Sequence, residues 1–87
     1  MDGVVVEARR YSQLGDWSGL PAPDGVVAYA RTAPGDRRLV LVNFTGAATA
    51  VAVEGRWAVE VASDGAGQGA RYAGRLAPDQ AVVLRPA

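Results

Sequence analysis

From residue 26 onward the chain is a train of short extended runs, each closed by turn residues. "VVAYART" (26–32) is followed by "APGD", then "RRLVLVNF" (37–44), "TGAA", "TAVAV" (49–53), "EG", "RWAVEVAS" (56–63), a glycine loop, "ARYAGRL" (70–76), "APDQ" and "AVVLRP" (81–86). Runs of this length at regular spacing predict an antiparallel sandwich or barrel. The clearest alternation is in 56–62, where Trp57, Val59 and Val61 fall on one side and Arg56, Ala58 and Glu60 on the other, the pattern of a half-buried strand.

Residues 1–25 read differently. "VVV" (4–6) can add a strand, but Gly15, Gly19, Pro21, Pro23 and Gly25 interrupt whatever starts, so residues 1–25 are expected to be a connector with one short turn of helix or strand. The expected fold is all-β, a small antiparallel β-sandwich of Greek-key type spanning 26–87, with about six to eight strands. The 87 residues allow one domain and a modest core, with roughly 60–65% of the unfolded surface buried.

Composition then removes several kinds of chemistry. The chain has no Cys and no His, and so no disulfide framework, no thiolate nucleophile and no imidazole base or ligand; neither metal nor cofactor is expected. Nine basic residues, all Arg, balance nine acidic ones and are scattered along the chain, which is not the clustered footprint of a nucleic-acid binder. The longest apolar runs, Val4–Val6 and Leu39–Val42, are far shorter than the ~20 residues of a membrane-spanning helix. The redox compartment stays open, with the cytoplasm favoured.

Three motifs invite a chemical reading. Gly65, Gly67 and Gly69 alternate as in a phosphate loop, but "ARYAGRLAPDQAVVL" reads as strand, turn, strand, with no helix to face a phosphate and no Lys; a glycine-rich hairpin connection is expected. Asp16, Asp24, Asp36, Asp64 and Asp79 lie beside turn residues, and only Glu60 lies within a clear strand, so no catalytic carboxylate pair is expected. Asn43-Phe44-Thr45 matches a glycosylation acceptor, but Asn43 ends a strand, where its side chain is better used to bond the turn backbone.

Two features point to surfaces. Trp57 alternates with Val59 and Val61 and belongs to the core, whereas Trp17 sits in an irregular stretch, where it either caps the sandwich or stacks on a sugar or partner. Leu39, Val40, Leu41 and Val42 make both faces of their strand apolar, although a sandwich hides only one. Either a loop covers the second face or it packs on another domain or subunit.

The run "DGVVAYARTAPGDRRLVLVNFTGAATAVAVEGRWAVEVASDG" (24–65), followed by "YAGRLAPDQAVVLRP" (72–86), resembles the C-terminal β-domain of the α-amylase superfamily, glycoside hydrolase family 13. The likeness is greatest to bacterial α-glucosidases and trehalose- or maltose-processing relatives. It rests on a strand ending in Arg (26–31), a strand of the type "RLVLVNF" (38–44), a Trp-led strand (56–64) and a closing "LAPDQAVVLRP" (76–86), with "EARRYSQLGDW" (7–17) similar to the family's connector. The family's catalytic motifs lie in its barrel and none occurs here.

The resemblance therefore implies a non-catalytic accessory domain that packs on the (β/α)8 barrel of a glycosidase acting on α-glucans or α-glucosides, with Leu39, Val40, Leu41 and Val42 as the interdomain face. A second expectation is an autonomous carbohydrate-binding module in which Trp17, with Tyr11 or Tyr72, stacks on glucan. A third is an immunoglobulin-like interaction or self-associating domain that uses the "RLVLV" strand.

Overall fold

The computed structural model of the chain describes residues 17–20, 22–33 and 36–87. Among these there are seven strands and no helix: β1 (Trp17–Leu20), β2 (Val26–Ala33), β3 (Asp36–Asn43), β4 (Thr49–Ala50), β5 (Trp57–Ala62), β6 (Arg75–Leu76) and β7 (Ala81–Pro86). Five form one sheet in the order β1-β2-β3-β7-β5, and β4 and β6 form a second, two-stranded sheet. All neighbours are antiparallel. This is the small all-β antiparallel sandwich that the spacing of the runs predicts.

Alternation along each strand builds the core. Val26, Ala28 and Ala30 of β2, Leu39 and Leu41 of β3, and Val82 and Leu84 of β7 turn to the inner face, where Trp57, Val59 and Ala62 of β5 join them. Val51 and Leu76, both fully buried, come down from beside and within the small sheet to close the layer. Each such aliphatic side chain contributes about 1.5–3 kcal/mol by leaving water. Trp57 is 4% exposed, as the core reading requires, and its indole Nε1 donates to the carbonyl of Glu54 at 3.0 Å.

Residues 17–20, within the expected connector, pair with β2 from Trp17↔Arg31 to Leu20↔Ala28. Other elements differ from the expectation. The register of β5 against β7 shifts between Val59 and Val61, a β-bulge at Glu60. The extra residue reverses the alternation, so Val61 points outward at 51% exposure and Ala62 takes the inner position. The run at 70–76 is divided at Gly74, whose φ is +85°. Its first part lies along the edge of β5, where Gly69 N–H donates to Val59 O (2.7 Å), Val59 N–H to Ala70 O (2.8 Å) and Tyr72 N–H to Trp57 O (2.8 Å). Its second part, β6, pairs with β4, so this segment carries the chain from one layer to the other. The run at 49–53 is ordered as a strand only at Thr49–Ala50.

Asn43, 1% exposed at the end of β3, holds the turns beneath the sheet. Its Nδ2 donates to Ala47 O (2.9 Å) and Ala77 O (3.0 Å), and its Oδ1 accepts from Thr45 N–H (3.0 Å) and Thr45 Oγ1 (2.8 Å). With both ends of the amide engaged inside the fold, Asn43 presents no free nitrogen to a glycosylating enzyme. Gly25, with φ +79°, leads into β2 against the same turn, and a Cβ there would collide with Thr45 Cγ2.

Candidate functional site

The face of the five-stranded sheet that looks away from the core is the principal candidate surface. The residues that β2 and β3 do not bury alternate with those they do, and the register aligns them: Val27 opposite Val42, Tyr29 opposite Val40, and Arg31 opposite Arg38. Val83 of β7 continues the middle row beside Val40, and Val61, turned out by the bulge, stands opposite Val83. An apolar stripe therefore crosses four strands as Tyr29, Val40, Val83 and Val61. Tyr29 is 44% exposed, and Phe44, next in the alternation after Val40 and Val42, is 68% exposed. Between Val40, Val61, Ser63, Ala81 and Val83 the stripe dips into a shallow hollow of about 150 Å³. Exposed apolar surface of this continuity is the mark of a contact face.

Leu39, Val40, Leu41 and Val42, expected to act together as an interdomain face, are thus divided by the pleat. Leu39 and Leu41 are fully buried in the domain's own core and unavailable to a partner, whereas Val40 and Val42 are half-buried on the outer face. A continuous apolar run does not reveal which of its residues the domain needs for itself. The alignment of Tyr29 and Val83 with Val40 depends on strand register, which the sequence does not state, and Val61 changes face at a bulge that periodicity does not announce.

The aromatic residues expected to stack on sugar are not assembled into a platform by the described residues. Tyr11 lies outside them, and Trp17 is placed by its backbone in β1, opposite Arg31. Tyr72 packs partly buried against the core and donates its hydroxyl to Val51 O at 2.6 Å. Burial pushes its phenol well above the ordinary tyrosine pKa.

The glycine loop is occupied with its own hydrogen bonds. Gly65 N–H donates to Ala62 O, Ala66 N–H to Asp64 Oδ1, Gly69 N–H to Val59 O and Ala70 N–H to Gly67 O. These amides are therefore not offered to a phosphate. The Ala66 amide, followed by the Gln80 side chain, holds the Asp64 carboxyl below its usual pKa. Below the loop lies a cavity of about 180 Å³ lined by Val59, Arg71, Tyr72, Arg75, Gln80 and Val82 among others. Its polar groups are poor bases: two are guanidinium ions, Tyr72 is held neutral, and Gln80 bonds Asp64 through Nε2 and the Ala77 amide through Oε1. No three of His, Cys, Asp and Glu come together as a metal site among the described residues.

A second hollow, at the other end of the strands, is lined by Arg37, Glu54, Gly55, Arg56, Trp57 and Pro86. There the Arg37 guanidinium lies over the Trp57 ring, 5.2 Å from its centroid, so that the charge closes the open end of the core.

Comparison with known families matches residues 23–86 to the D-apionate lactonase C-terminal immunoglobulin-like domain. Neither a curated protein nor a solved structure matches the chain. The match overturns the resemblance to the α-amylase superfamily, and with it the glycosidase parent and the assignment to α-glucan metabolism. The strands that carried that resemblance, such as 38–44 and 81–86, are alternating sandwich strands, and their spacing is set by the layer geometry rather than by what the neighbouring domain hydrolyses.

Proposed function

Since the chain belongs to the family of D-apionate lactonase C-terminal immunoglobulin-like domains, we propose that it is the accessory domain of a lactone hydrolase, held against the hydrolase's catalytic domain by the open face of its five-stranded sheet. The observation that carries the proposal is the stripe Tyr29, Val40, Val83 and Val61, which the domain's own described residues leave facing outward. Burying it against a second domain removes apolar surface from water at about 25 cal/mol per Å², a gain that both partners share as added stability. The sequence fits a supporting role, because a chain without His or Cys has few groups able to activate water at neutral pH.

The test is to mix the chain with the separately expressed catalytic domain of a D-apionate lactonase. A one-to-one complex on gel filtration is expected, with a longer thermal half-life for lactone hydrolysis. Val61→Asp should abolish the complex and leave the thermal midpoint of the isolated domain nearly unchanged, since Val61 lies outside the core. Failure of the unaltered chain to bind would overturn the proposal.

A further inference from the structure

Residues 70–76 carry the chain from the large sheet to the small one, and the corner they turn borders the cavity of about 180 Å³ below the glycine loop. Two arginines line it from the two layers. Arg71 bridges Ala58 at the edge of β5, next to the bond from Tyr72 N–H to Trp57 O, whereas Arg75 lies in β6 and pairs with Ala50. Strand pairing thus fixes both backbones. Neither guanidinium has a hydrogen bond or ion pair among the described residues.

A third donor is built into the wall. Gln80, 9% exposed, is locked at both ends of its amide: Oε1 accepts from Ala77 N–H at 2.9 Å, and one Nε2 proton goes to Asp64 Oδ1 at 3.0 Å. An amide nitrogen carries two protons, and the second has no acceptor among the described residues. Val59, Val82 and Ala73 make the rest of the wall apolar, and the Tyr72 hydroxyl beside them is spent on Val51 O. Positive charge over a partly apolar hollow focuses the local field and concentrates anions there.

We propose that this cavity binds a small hydroxycarboxylate, its carboxylate received by Arg71 and Arg75, a further oxygen by the second Gln80 amide proton, and its carbon skeleton set against Val59 and Val82. Guanidinium forks match the two oxygens of a carboxylate. A dry cavity of about 150 Å³ holds benzene, so this volume suits an acid of about four or five carbons. Phosphate is a poorer match, because the Asp64 carboxylate stands behind Gln80 and would repel a second negative charge on the ligand.

A hydroxycarboxylate is also what remains when water opens a lactone ring: the carbonyl carbon gains the water oxygen, and the ring oxygen leaves with a proton as a hydroxyl. The choice of ligand class therefore rests on the lactone-hydrolase reading, whereas the anion site rests on the cavity alone.

The experiment titrates the chain with erythronate, a four-carbon hydroxy acid, with its neutral lactone and with inorganic phosphate, and follows backbone amide shifts by NMR. The proteins are the unaltered chain, Arg71→Gln, Arg75→Gln and Arg75→Lys. Erythronate should give saturable shifts around Ala66, Tyr72 and Gln80. Each glutamine substitution should weaken binding at least about tenfold and leave the thermal midpoint nearly unchanged, since both arginines are exposed. Arg75→Lys, which keeps the charge but not the fork, should fall between. The lactone should leave the spectrum unshifted.

No saturable shift with erythronate, or binding that both glutamine variants keep, overturns the inference. Equal binding of the lactone overturns it as well, because the carboxylate would then not be what the site reads. Phosphate bound more tightly than erythronate, and lost in Arg71→Gln, would overturn it in favour of a phosphate ligand. The accessory-domain reading fails separately, by the absence of a complex with the catalytic domain.

Discussion

Removing the Asn43 amide would take four hydrogen bonds from these turns and strand the amide proton of Thr45, while the Thr45 hydroxyl and the carbonyls of Ala47 and Ala77 keep their other partners. A buried group left without its partner costs about 1–3 kcal/mol, and water reaches part of this cluster, so Asn43→Ala should lower stability by about 2–4 kcal/mol. The urea midpoint would fall with the slope unchanged. Gly25→Ala acts on the same turn from the other side. A left-handed backbone costs an L-residue about 1–2 kcal/mol, and the new methyl also meets Thr45 Cγ2. A thermal midpoint within a degree of the unaltered protein would contradict this. Tyr72 sets the alkaline limit. Its folded-state pKa is raised by burial, so the stability it provides is fully present below the ordinary tyrosine value of about 10. That stability is lost as the pH climbs from there through the folded-state value. A fall in thermal midpoint above pH ~10 should be smaller in Tyr72→Phe than in the unaltered protein, at a cost of about 1 kcal/mol for the lost hydrogen bond to Val51.

At the level of the elements, β5 shows what a sequence pattern carries and where it stops. Trp57 and Val59 were legible as core from their alternation, and Trp57→Ala should cost about 3–5 kcal/mol, enough to unfold a domain this small. Val61 was assigned to the same face, yet the bulge turns it outward. A bulge depends on how the partner strand pairs, which no local window records. The long runs that became β2, β3 and β7 were found for a related reason, since each has enough consecutive apolar or β-branched residues to signal an extended strand. The sequence allows a short strand in 1–25 without placing it, because Gly19 lies inside β1 and prolines follow it; the edge of β2 fixes where it forms. The family was misread because the residues quoted for it are those any such sandwich requires, while the outward pattern of Tyr29, Val40, Val83 and Arg85 emerges only once register is known. The loop at 65–69 likewise read as a free connection. Its last residue belongs to the edge pairing of β5, so replacing 65–69 with a two-residue turn should cost on the order of 1 kcal/mol for the lost bond to Val59. It should also expose the edge to other chains, which light scattering on heating would reveal. Unchanged stability and solubility would restore the simpler reading.

Across the whole molecule, the sheet order β1-β2-β3-β7-β5 places the last strand between two earlier ones. Residues 39–42 must find 81–84, and 57–62 must find 82–86, so the central pairings close large loops before burial rewards them. Folding in milliseconds to seconds, rather than microseconds, is the expectation for such a topology, and stopped-flow refolding would measure it. The same arrangement governs the order of events during synthesis. While the ribosome is still translating residues 81–86, β3 and β5 are both already made but have no strand to join them, and the row of Tyr29, Val40, Val83 and Val61 does not yet exist. Domains made earlier in a chain generally fold earlier. A catalytic domain encoded upstream would then already be formed when this module closes, a finished template on which the sheet could set. A premature stop codon anywhere before residue 81 would release a chain lacking the strand that joins β3 to β5, a species for quality-control proteases rather than a shortened but working domain.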